Sequence, residues 1–415
     1  RIMKLIMKSK NYLIEILISV LFILLLFYSS DPILYDDSYR YLKGSLKDPP
    51  LYSTIINIME NLFNSLNSVI ILQTISLAFG IIIFTKTVGD IFKLDLTIKL
   101  LIGIFLFLPT IKFYNNLLTE PLSNAFSLLF VSFLIRLIYD YKIQNLLWCA
   151  TFFIALLLIR KQFVILYPVV FITFLGIFYI NESKKKFIHL IITFFSILII
   201  HNFLLFLNKS INQSLDTKEE LLNSYSGVFT YIYIDSIYIS SPEDVKLFKN
   251  EKLRETVSII FDEINKKKAL VKYYNGRGHF GLSFAKIRDA MMPLKELAAK
   301  ENIKLIDLKK KIAKTLIVKN YKNYIKLIFK KFYDSTWLFI FVPFFMLVSS
   351  ILRFHKIKSN FSLVIIFLSL FTLTNHFVVY LFGRVQPRYL IYSDFILLIF
   401  ILITFWIFLN FKKNI

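Results

Sequence analysis

Long apolar runs recur along the chain and are separated by polar segments. About ten of these runs approach the ~20 residues that an α-helix needs to cross a bilayer. They lie near residues 13–28, 67–85, 98–113, 121–138, 145–160, 163–180, 187–207, 336–352, 361–382 and 389–410. The pattern predicts an all-α polytopic membrane protein with about ten transmembrane helices.

The longest polar stretch, residues 208–335, divides the chain. Helical periodicity in much of it, beside a short aromatic piece at 229–234 that is typical of a strand, predicts a small, mainly helical loop domain. The helical patterns cover residues 242–265, 289–300 and 303–331. We therefore expect an N-terminal transmembrane module at 1–207, the loop domain at 208–335 and C-terminal transmembrane helices at 336–415.

A second polar segment, residues 31–66, follows the first apolar run. Its beginning is acidic, and its later part, residues 51–63, has a helical period that polar residues interrupt. Such a segment favours a helix that lies on the membrane surface. We expect this first outer loop to frame a cavity that opens away from the cytoplasm.

Basic residues in the short loops predict the orientation, because positive charge concentrates on the cytoplasmic side. Both chain ends are basic, and the basic short loops alternate along the chain. The loop residues are Lys86, Lys93, Lys142, Lys184, Lys185, Lys186, Arg353, Lys356 and Lys358. The pattern places both termini in the cytoplasm and residues 208–335 outside. We expect a multi-pass protein of the bacterial inner membrane whose active site faces the periplasm or exterior.

The net charge of +23, from 50 Lys and Arg against 27 Asp and Glu, is compatible with binding to anionic molecules. The basic residues border apolar runs or lie in the long loop, so membrane lipids explain them and nucleic acid is not expected as a partner. The single cysteine, Cys149, lies in an apolar run and excludes a disulfide framework within this chain.

Candidate chemistry begins in the first outer loop with Asp36 and Asp37, which directly precede Ser38, Tyr39, Arg40 and Tyr41. A carboxylate beside a half-apolar cavity is partly desolvated and can remove the proton of an acceptor hydroxyl as a general base. Neighbouring residues on a helix point about 100° apart, so we expect one catalytic and one accessory acid. The alternative is that both are solvated loop acids.

A further acid, Glu120, stands between Thr119 and Pro121 just before an apolar run, with Asn116 shortly upstream. Glu120 is a candidate catalytic acid, and Asn116 and Tyr41 are candidates for contact with the acceptor. The alternative for Glu120 is ordinary helix capping, since an acid and a proline are common in a first helical turn.

Basic pairs at two predicted outer corners run against the usual charge distribution. Arg160 and Lys161 end the fifth run, and Arg384 and Arg388 precede the last one together with Tyr389. Phosphate suits them, because arginine offers a bidentate fork and lysine a mobile point charge. The alternative is snorkelling of these side chains to lipid headgroups.

Cofactor signals are weak. The five histidines show no ligand spacing, and Arg277 and His279 lie in a glycine-containing loop that lacks the strand-to-helix setting of nucleotide-binding motifs. Arg277 and His279 are loop candidates for acceptor contact. No cofactor is indicated with certainty, and a divalent cation held by Asp36, Asp37 or Glu120 with phosphate oxygens stays open.

The order of these features resembles the GT-C superfamily of multi-span glycosyltransferases, including the protein O-mannosyltransferase and lipid A aminoarabinose transferase types. An Asp-Ser-x-x-Tyr-like motif is similar to Asp37 through Tyr41. The family's Thr/Ser-Glu-Pro is similar to Thr119 through Pro121, its Leu-x-Arg span end to Leu158 through Arg160, and its Arg-Tyr to Arg388 and Tyr389. The resemblance does not include residues 208–335.

The resemblance implies an inverting hexosyl- or pentosyltransferase that takes a sugar from a polyprenyl-phosphate donor on the extracytoplasmic side. The acceptor is a lipid, a glycan or a protein. Asp37 would act as the base, and Arg160, Lys161 and Arg388 would stabilise the departing phosphate. Rival classes are an exporter or flippase for lipid-linked glycans, an O-antigen polymerase or ligase, and a structural membrane protein. A transporter would carry charged residues near the middle of its spans.

Overall fold

The computed structural model describes residues 12–27, 31–44, 48–211, 228–270, 286–336, 338–382 and 390–411. Over these residues the chain is helical. Within the described residues, the chain also forms one isolated parallel β-bridge, between Ile33 and Asn116. The chain divides into two compact units. The first contains Arg1–Leu215, Val342–Asn375 and Pro387–Ile415, and the second contains Asp216–Phe341 and His376–Gln386.

Among the residues that the structure describes, six helices are long and apolar enough to cross a membrane, which indicates an integral membrane protein. They are Asn67–Ile91, Glu120–Tyr139, Lys161–Asn181, Lys184–Ile211, Ile340–Ile357 and Asn360–Tyr380. Three further apolar helices are shorter, namely Leu13–Phe27, Ile143–Ile159 and Tyr392–Phe408. The predicted run at 98–113 is a short helix that ends in a 3₁₀ turn over Leu108–Lys112.

The first unit is built from helices that follow the apolar runs. In chain order they are α1 Leu13–Phe27, α2 Asp36–Leu42, α3 Pro50–Phe63, α4 Asn67–Ile91, α5 Leu96–Phe107, α6 Glu120–Tyr139, α7 Ile143–Ile159, α8 Leu166–Asn181 and α9 Lys184–Ile211. Helix α6 packs along α4 on one side and α7 on the other. These three helices form the centre of the unit, and α6 is the most deeply buried of the spans.

Small residues allow the central helices to approach closely. A Cβ atom at Gly80 of α4 would lie 3.0 Å from the backbone carbonyl oxygen of Ala125 in α6. Lipid tails are as apolar as leucine, so helices in a membrane associate through close packing rather than through the hydrophobic effect. The pair of Gly80 and Ala125 therefore sets the spacing of the two central helices.

The helices that follow are α10 Val228–Tyr238, α11 Glu251–Lys266, α12 Met292–Lys300, α13 Leu305–Lys319, α14 Tyr321–Thr336, α15 Leu338–Ile357, α16 Asn360–Phe382 and α17 Ile391–Phe411. Helices α10 to α14 belong to the second unit and share a separate apolar core. Each amphipathic helix buries its apolar face in this core. In α11 that face consists of Leu253, Val257, Ile260 and Ile264.

The predicted strand at 229–234 is wrong, because these residues begin helix α10. Their aromatic and β-branched composition favours a strand in isolation. In the fold, Tyr233, Ile234 and Ile237 are fully buried in the core of the second unit, where α10 packs on α13. Tertiary packing decides the local structure here. The pattern at 303–331 is also divided into two helices, α13 and α14, around Asn320.

An ion pair lies inside the second unit. Lys331 Nζ contacts Asp235 Oδ2 at 2.6 Å, and both side chains are almost fully buried. Burial raises the pKa of Asp235 to about 6, and the neighbouring Lys331 opposes that shift. The pair joins α10 to α14 by a contact that the apolar core alone does not provide.

Candidate active site at one end of the bundle

The first outer loop is tied to the segment before α6 by backbone pairing. The Ile33 amide donates to the Asn115 carbonyl at 3.0 Å, and the Leu117 amide donates to the Ile33 carbonyl at 3.0 Å. The buried Ser38 hydroxyl of α2 donates to the Leu117 carbonyl at 2.7 Å. Helix α2, which carries Asp37, is thereby fixed beside the start of α6, which carries Glu120.

A second set of contacts surrounds the buried side chains of Tyr41 and Tyr52. The rings of Tyr41 and Tyr52 meet edge to face with centroids 5.0 Å apart. The Tyr52 hydroxyl donates to Gln73 Oε1 at 2.6 Å, and Gln73 Nε2 donates to the Asn116 carbonyl at 3.2 Å. Asn116 is buried, and its described role is that of a backbone acceptor in this network. The contacts join α2, α3 and α4 to the loop before α6.

Asp37 lies at the partly exposed side of the site. Arg40 Nη2 is 3.4 Å from Asp37 Oδ1, and Arg40 Nε is 3.2 Å from Asp48 Oδ2. The arginine thus stands between two carboxylates. Burial raises the pKa of Asp48, and the positive charges of Arg40 and Lys161 oppose that shift. Asp37 keeps about a third of its side chain accessible, as contact with a substrate requires.

Arg160 and Glu120 meet at the junction of α6 and α7. Arg160 Nη1 lies 3.5 Å from Glu120 Oε1, and the two side chains are 14% and 4% exposed. Arg160 also donates a hydrogen bond to the Tyr392 hydroxyl of α17 and lies over the Tyr392 ring. Such an inward arrangement differs from that of an arginine which snorkels to lipid headgroups. Helix α6 begins at Glu120 with Pro121 in its first turn, as expected.

Lys161, next along the chain, behaves differently from Arg160. The residue is exposed, and among the side chains that the structure describes it has no ion-pair partner within 4.0 Å. The carboxylate of Asp48 acts on it electrostatically. Lys161 therefore presents an ammonium group at the rim of a site whose other charges are largely matched.

Tyr41 lies at the centre of these charges. Burial raises the pKa of its phenol to about 12, and the charges of Asp48, Arg160, Glu120 and Asp37 all act on it. The hydroxyl accordingly stays protonated at neutral pH. Tyr41 is 7% exposed, so its side chain is part of the buried packing of the site and is not open at the surface.

A polar network extends from the same corner into the helices. Gln162 Nε2 donates to Asn375 Oδ1 at 3.1 Å, Asn375 Nδ2 donates to the Ser393 hydroxyl at 2.9 Å, and that hydroxyl lies 3.1 Å from Asp394 Oδ1. The network ties the start of the Lys161–Ile165 turn to α16 and α17. Buried polar groups of this kind are costly unless they are paired.

The structure brings together Asp37, Glu120, Arg160, Lys161 and Tyr41, with the Asn116 backbone beside them. Sequence reasoning missed Arg40 and Asp48, which share the acidic first outer loop with Asp37, and Tyr392 and Gln162, for which the sequence offers no distinct signal. The side chain of Asp36 is not among those described. Five predicted candidates lie outside the described residues, namely Arg277, His279, Arg384, Arg388 and Tyr389.

Within the described chain, no three His, Cys, Asp or Glu side chains lie in an arrangement that could hold a metal ion. The described side chains of the site include three carboxylates, at Asp37, Asp48 and Glu120, and three cations, at Arg40, Arg160 and Lys161. Comparison of the chain with protein-family models, with curated proteins and with solved structures gives no significant match.

Proposed function

We propose that this protein is an inverting glycosyltransferase that moves a sugar from a polyprenyl-phosphate donor to an acceptor at the extracytoplasmic side of the membrane. One observation carries the proposal. Asp37, Glu120 and Arg160, which come from three separate segments of the chain, all act on Tyr41 at one end of an apolar helical bundle, and Lys161, the neighbour of Arg160, acts on Asp48 of the same site. Carboxylates and exposed positive charge at that depth suit a lipid-linked, phosphate-bearing substrate.

Asp37 is the group best placed to act as the base. It is partly exposed, it lies on a helix held by backbone and Ser38 contacts, and Arg40 orients its carboxylate. A general base must reach the proton that it removes and must be held in position while doing so. Glu120 is less suited to proton transfer, because it is almost fully buried and paired with Arg160.

Lys161 is the group best placed to meet the donor phosphate. Arg160 is already engaged by Glu120 and Tyr392, so its main contribution is to hold the corner from which Lys161 projects. In the proposed step the acceptor hydroxyl gives its proton to Asp37, and its oxygen attacks the anomeric carbon. The bond from that carbon to the phosphate oxygen breaks, and the polyprenyl phosphate leaves with the electron pair beside Lys161.

The orientation belongs to the same proposal. The short-loop lysines lie at the ends of the helices opposite the site: Lys86 near the end of α4 and Lys358 between α15 and α16 form ion pairs there. With ten spans and cytoplasmic termini, that end faces the cytoplasm and the candidate site faces outward. A donor that diffuses in the outer leaflet then reaches Lys161 directly.

Binding of a labelled polyprenyl phosphate to the purified full-length chain tests the donor site. Lys161→Gln is expected to weaken binding about tenfold, because a charge-assisted contact in a partly desolvated setting is lost, while the melting temperature stays within error. Lys112→Gln is the matched control, since Lys112 is an exposed lysine in the turn after α5, at the same end of the helices. Equal affinity in all three proteins contradicts the assignment of Lys161.

A further inference from the structure

A polar cavity lies at the end of the first unit opposite the candidate active site. It has a volume of about 500 Å³ and is lined by Tyr12, Ile14, Lys86, Asp90, Leu94, Leu96 and Lys99. Its lysines are thirteen and more residues along the chain from Gln73, which contacts the candidate site, and thirteen residues of α-helix measure about 20 Å. The cavity is therefore separate from the candidate active site.

The lining of this cavity combines polar and apolar side chains. Lys86 and Lys99 supply two ammonium groups, Asp90 supplies a carboxylate and Tyr12 a phenol, while Ile14, Leu94 and Leu96 supply apolar surface. Lys86 Nζ pairs with Glu15 at 2.6 Å, and Lys99 Nζ pairs with Asp90 at 2.9 Å. A ligand that matches this set of side chains carries positive and negative groups together with an apolar part.

Lys99 is held in this cavity by the absence of a side chain on α4. A Cβ atom at Gly89 would lie 2.3 Å from Lys99 Cε and 2.7 Å from its Cδ, so the lysine stem crosses directly over the glycine. The Lys99 side chain is 22% exposed, which strengthens its interaction with an anion compared with a fully solvated lysine. Gly89 is therefore part of the architecture that places the ammonium group.

We propose that this cavity binds the zwitterionic headgroup of a membrane phospholipid of the phosphoethanolamine type. The phosphate faces Lys86 and Lys99, the ammonium faces Asp90, and the glycerol end lies against Ile14, Leu94 and Leu96. A volume near 500 Å³ suits a headgroup and exceeds what a single inorganic ion needs. Basic pockets between transmembrane helices are known to hold lipid headgroups, and Asp90 adds the partner that selects a zwitterion.

Native mass spectrometry of the purified full-length chain with short-chain phosphatidylethanolamine tests the site. Lys99→Gln and Gly89→Ala are each expected to weaken binding about fivefold, the effect of one lysine at a membrane surface. Lys99→Arg should retain most of it. The matched control is Lys142→Gln, which alters an exposed lysine paired with Asp140 outside this cavity and should bind as wild type. Melting temperatures establish that each variant is folded.

Two further probes separate the sources of the phosphate and test the role of Asp90. Glycerol 3-phosphate should bind far more weakly than the lipid, since it lacks the ammonium and the apolar part. Asp90→Asn should shift the preference from phosphatidylethanolamine towards phosphatidylglycerol, because the partner of the ammonium is lost and Lys99 is released. Equal lipid binding by Lys99→Gln, Gly89→Ala and Lys142→Gln, tight binding of glycerol 3-phosphate, or an unchanged preference in Asp90→Asn would each overturn the proposal.

Discussion

Adjacent basic residues at the end of α7 have different surroundings, and that difference matters for their roles. Arg160 is inward, paired with Glu120 and bonded to Tyr392, whereas Lys161 is exposed at the rim. From the sequence, both were expected to clamp phosphate. The structure shows Arg160 engaged inward and Lys161 exposed, and under the proposed function Arg160 holds the corner while Lys161 would meet the donor phosphate.

Replacement of Arg160 should therefore affect folding as well as donor binding. Arg160→Gln leaves the buried Glu120 carboxylate without its cation, and removal of one partner of a buried pair costs about 3–5 kcal/mol. The melting temperature of Arg160→Gln should fall clearly. The double variant Arg160→Gln with Glu120→Gln should recover much of the loss, because no charge is then left buried.

The recovery in the double variant is the decisive comparison. Snorkelling of Arg160 to lipid predicts instead that Glu120→Gln has no influence on the effect of Arg160→Gln. A double-mutant cycle on melting temperature measures this coupling. Additive effects of the two substitutions would contradict the ion pair as the stabilising contact.

At the level of elements, the apolar runs predicted the positions of the apolar helices, and six of the helices in the described residues are long enough to cross a membrane, against about ten predicted. The helical period at 51–63 is confirmed, because helix α3 covers these residues and ends at Asn64, which has a left-handed conformation. Residues 229–234 were mispredicted, since their burial against α13 is a tertiary effect that local composition does not contain.

The candidate site was predictable in part for a related reason. Charged residues near the end of an apolar run stand out in the sequence. This pattern identified Asp37, Glu120, Arg160 and Lys161 as candidates. Arg40 and Asp48 were missed because charged residues in a polar loop are ordinary. Tyr392 was missed because an aromatic residue in an apolar run resembles packing, and only the fold shows that its hydroxyl meets Arg160.

The spacing of α4 and α6 provides a prediction at this level. Gly80→Val should lower the melting temperature markedly, because its Cβ already lies at the limit of contact with Ala125 and two further methyl groups force the helices apart. Overpacking of this kind costs about 1–3 kcal/mol. Ile75→Val on the exposed face of α4 is the control and should have little effect. A wild-type melting temperature for Gly80→Val would contradict the close approach.

For the whole molecule, the orientation in the membrane determines which leaflet supplies the substrate. The only cysteine, Cys149, is buried, so engineered cysteines can be labelled in a Cys149→Ser background. Lys249→Cys in the second unit should react with an impermeant reagent from the outside, and Lys142→Cys after α6 only once the membrane is permeabilised. The reverse pattern would place the candidate site in the cytoplasm.

Chemical turnover separates a transferase from the other classes that would bind the same lipid. An exporter of lipid-linked glycans moves its substrate intact, whereas the proposed enzyme breaks the bond between the sugar and the phosphate. A matched pair of carboxylate variants makes the comparison specific to the base. Asp37→Asn removes the proposed base by a nearly isosteric change, and Asp31→Asn alters an exposed acid at the start of the same loop.

The most direct measurement is release of polyprenyl phosphate from polyprenyl-phosphate sugars, with native membranes as the acceptor mixture. The wild-type protein and Asp31→Asn should transfer labelled sugar to an acceptor. Asp37→Asn should be slower by a factor of about 10² to 10⁴, the usual effect of losing a general base, with an unchanged melting temperature. Near-normal transfer by Asp37→Asn, or no release by the wild-type protein from any such donor, would contradict the account.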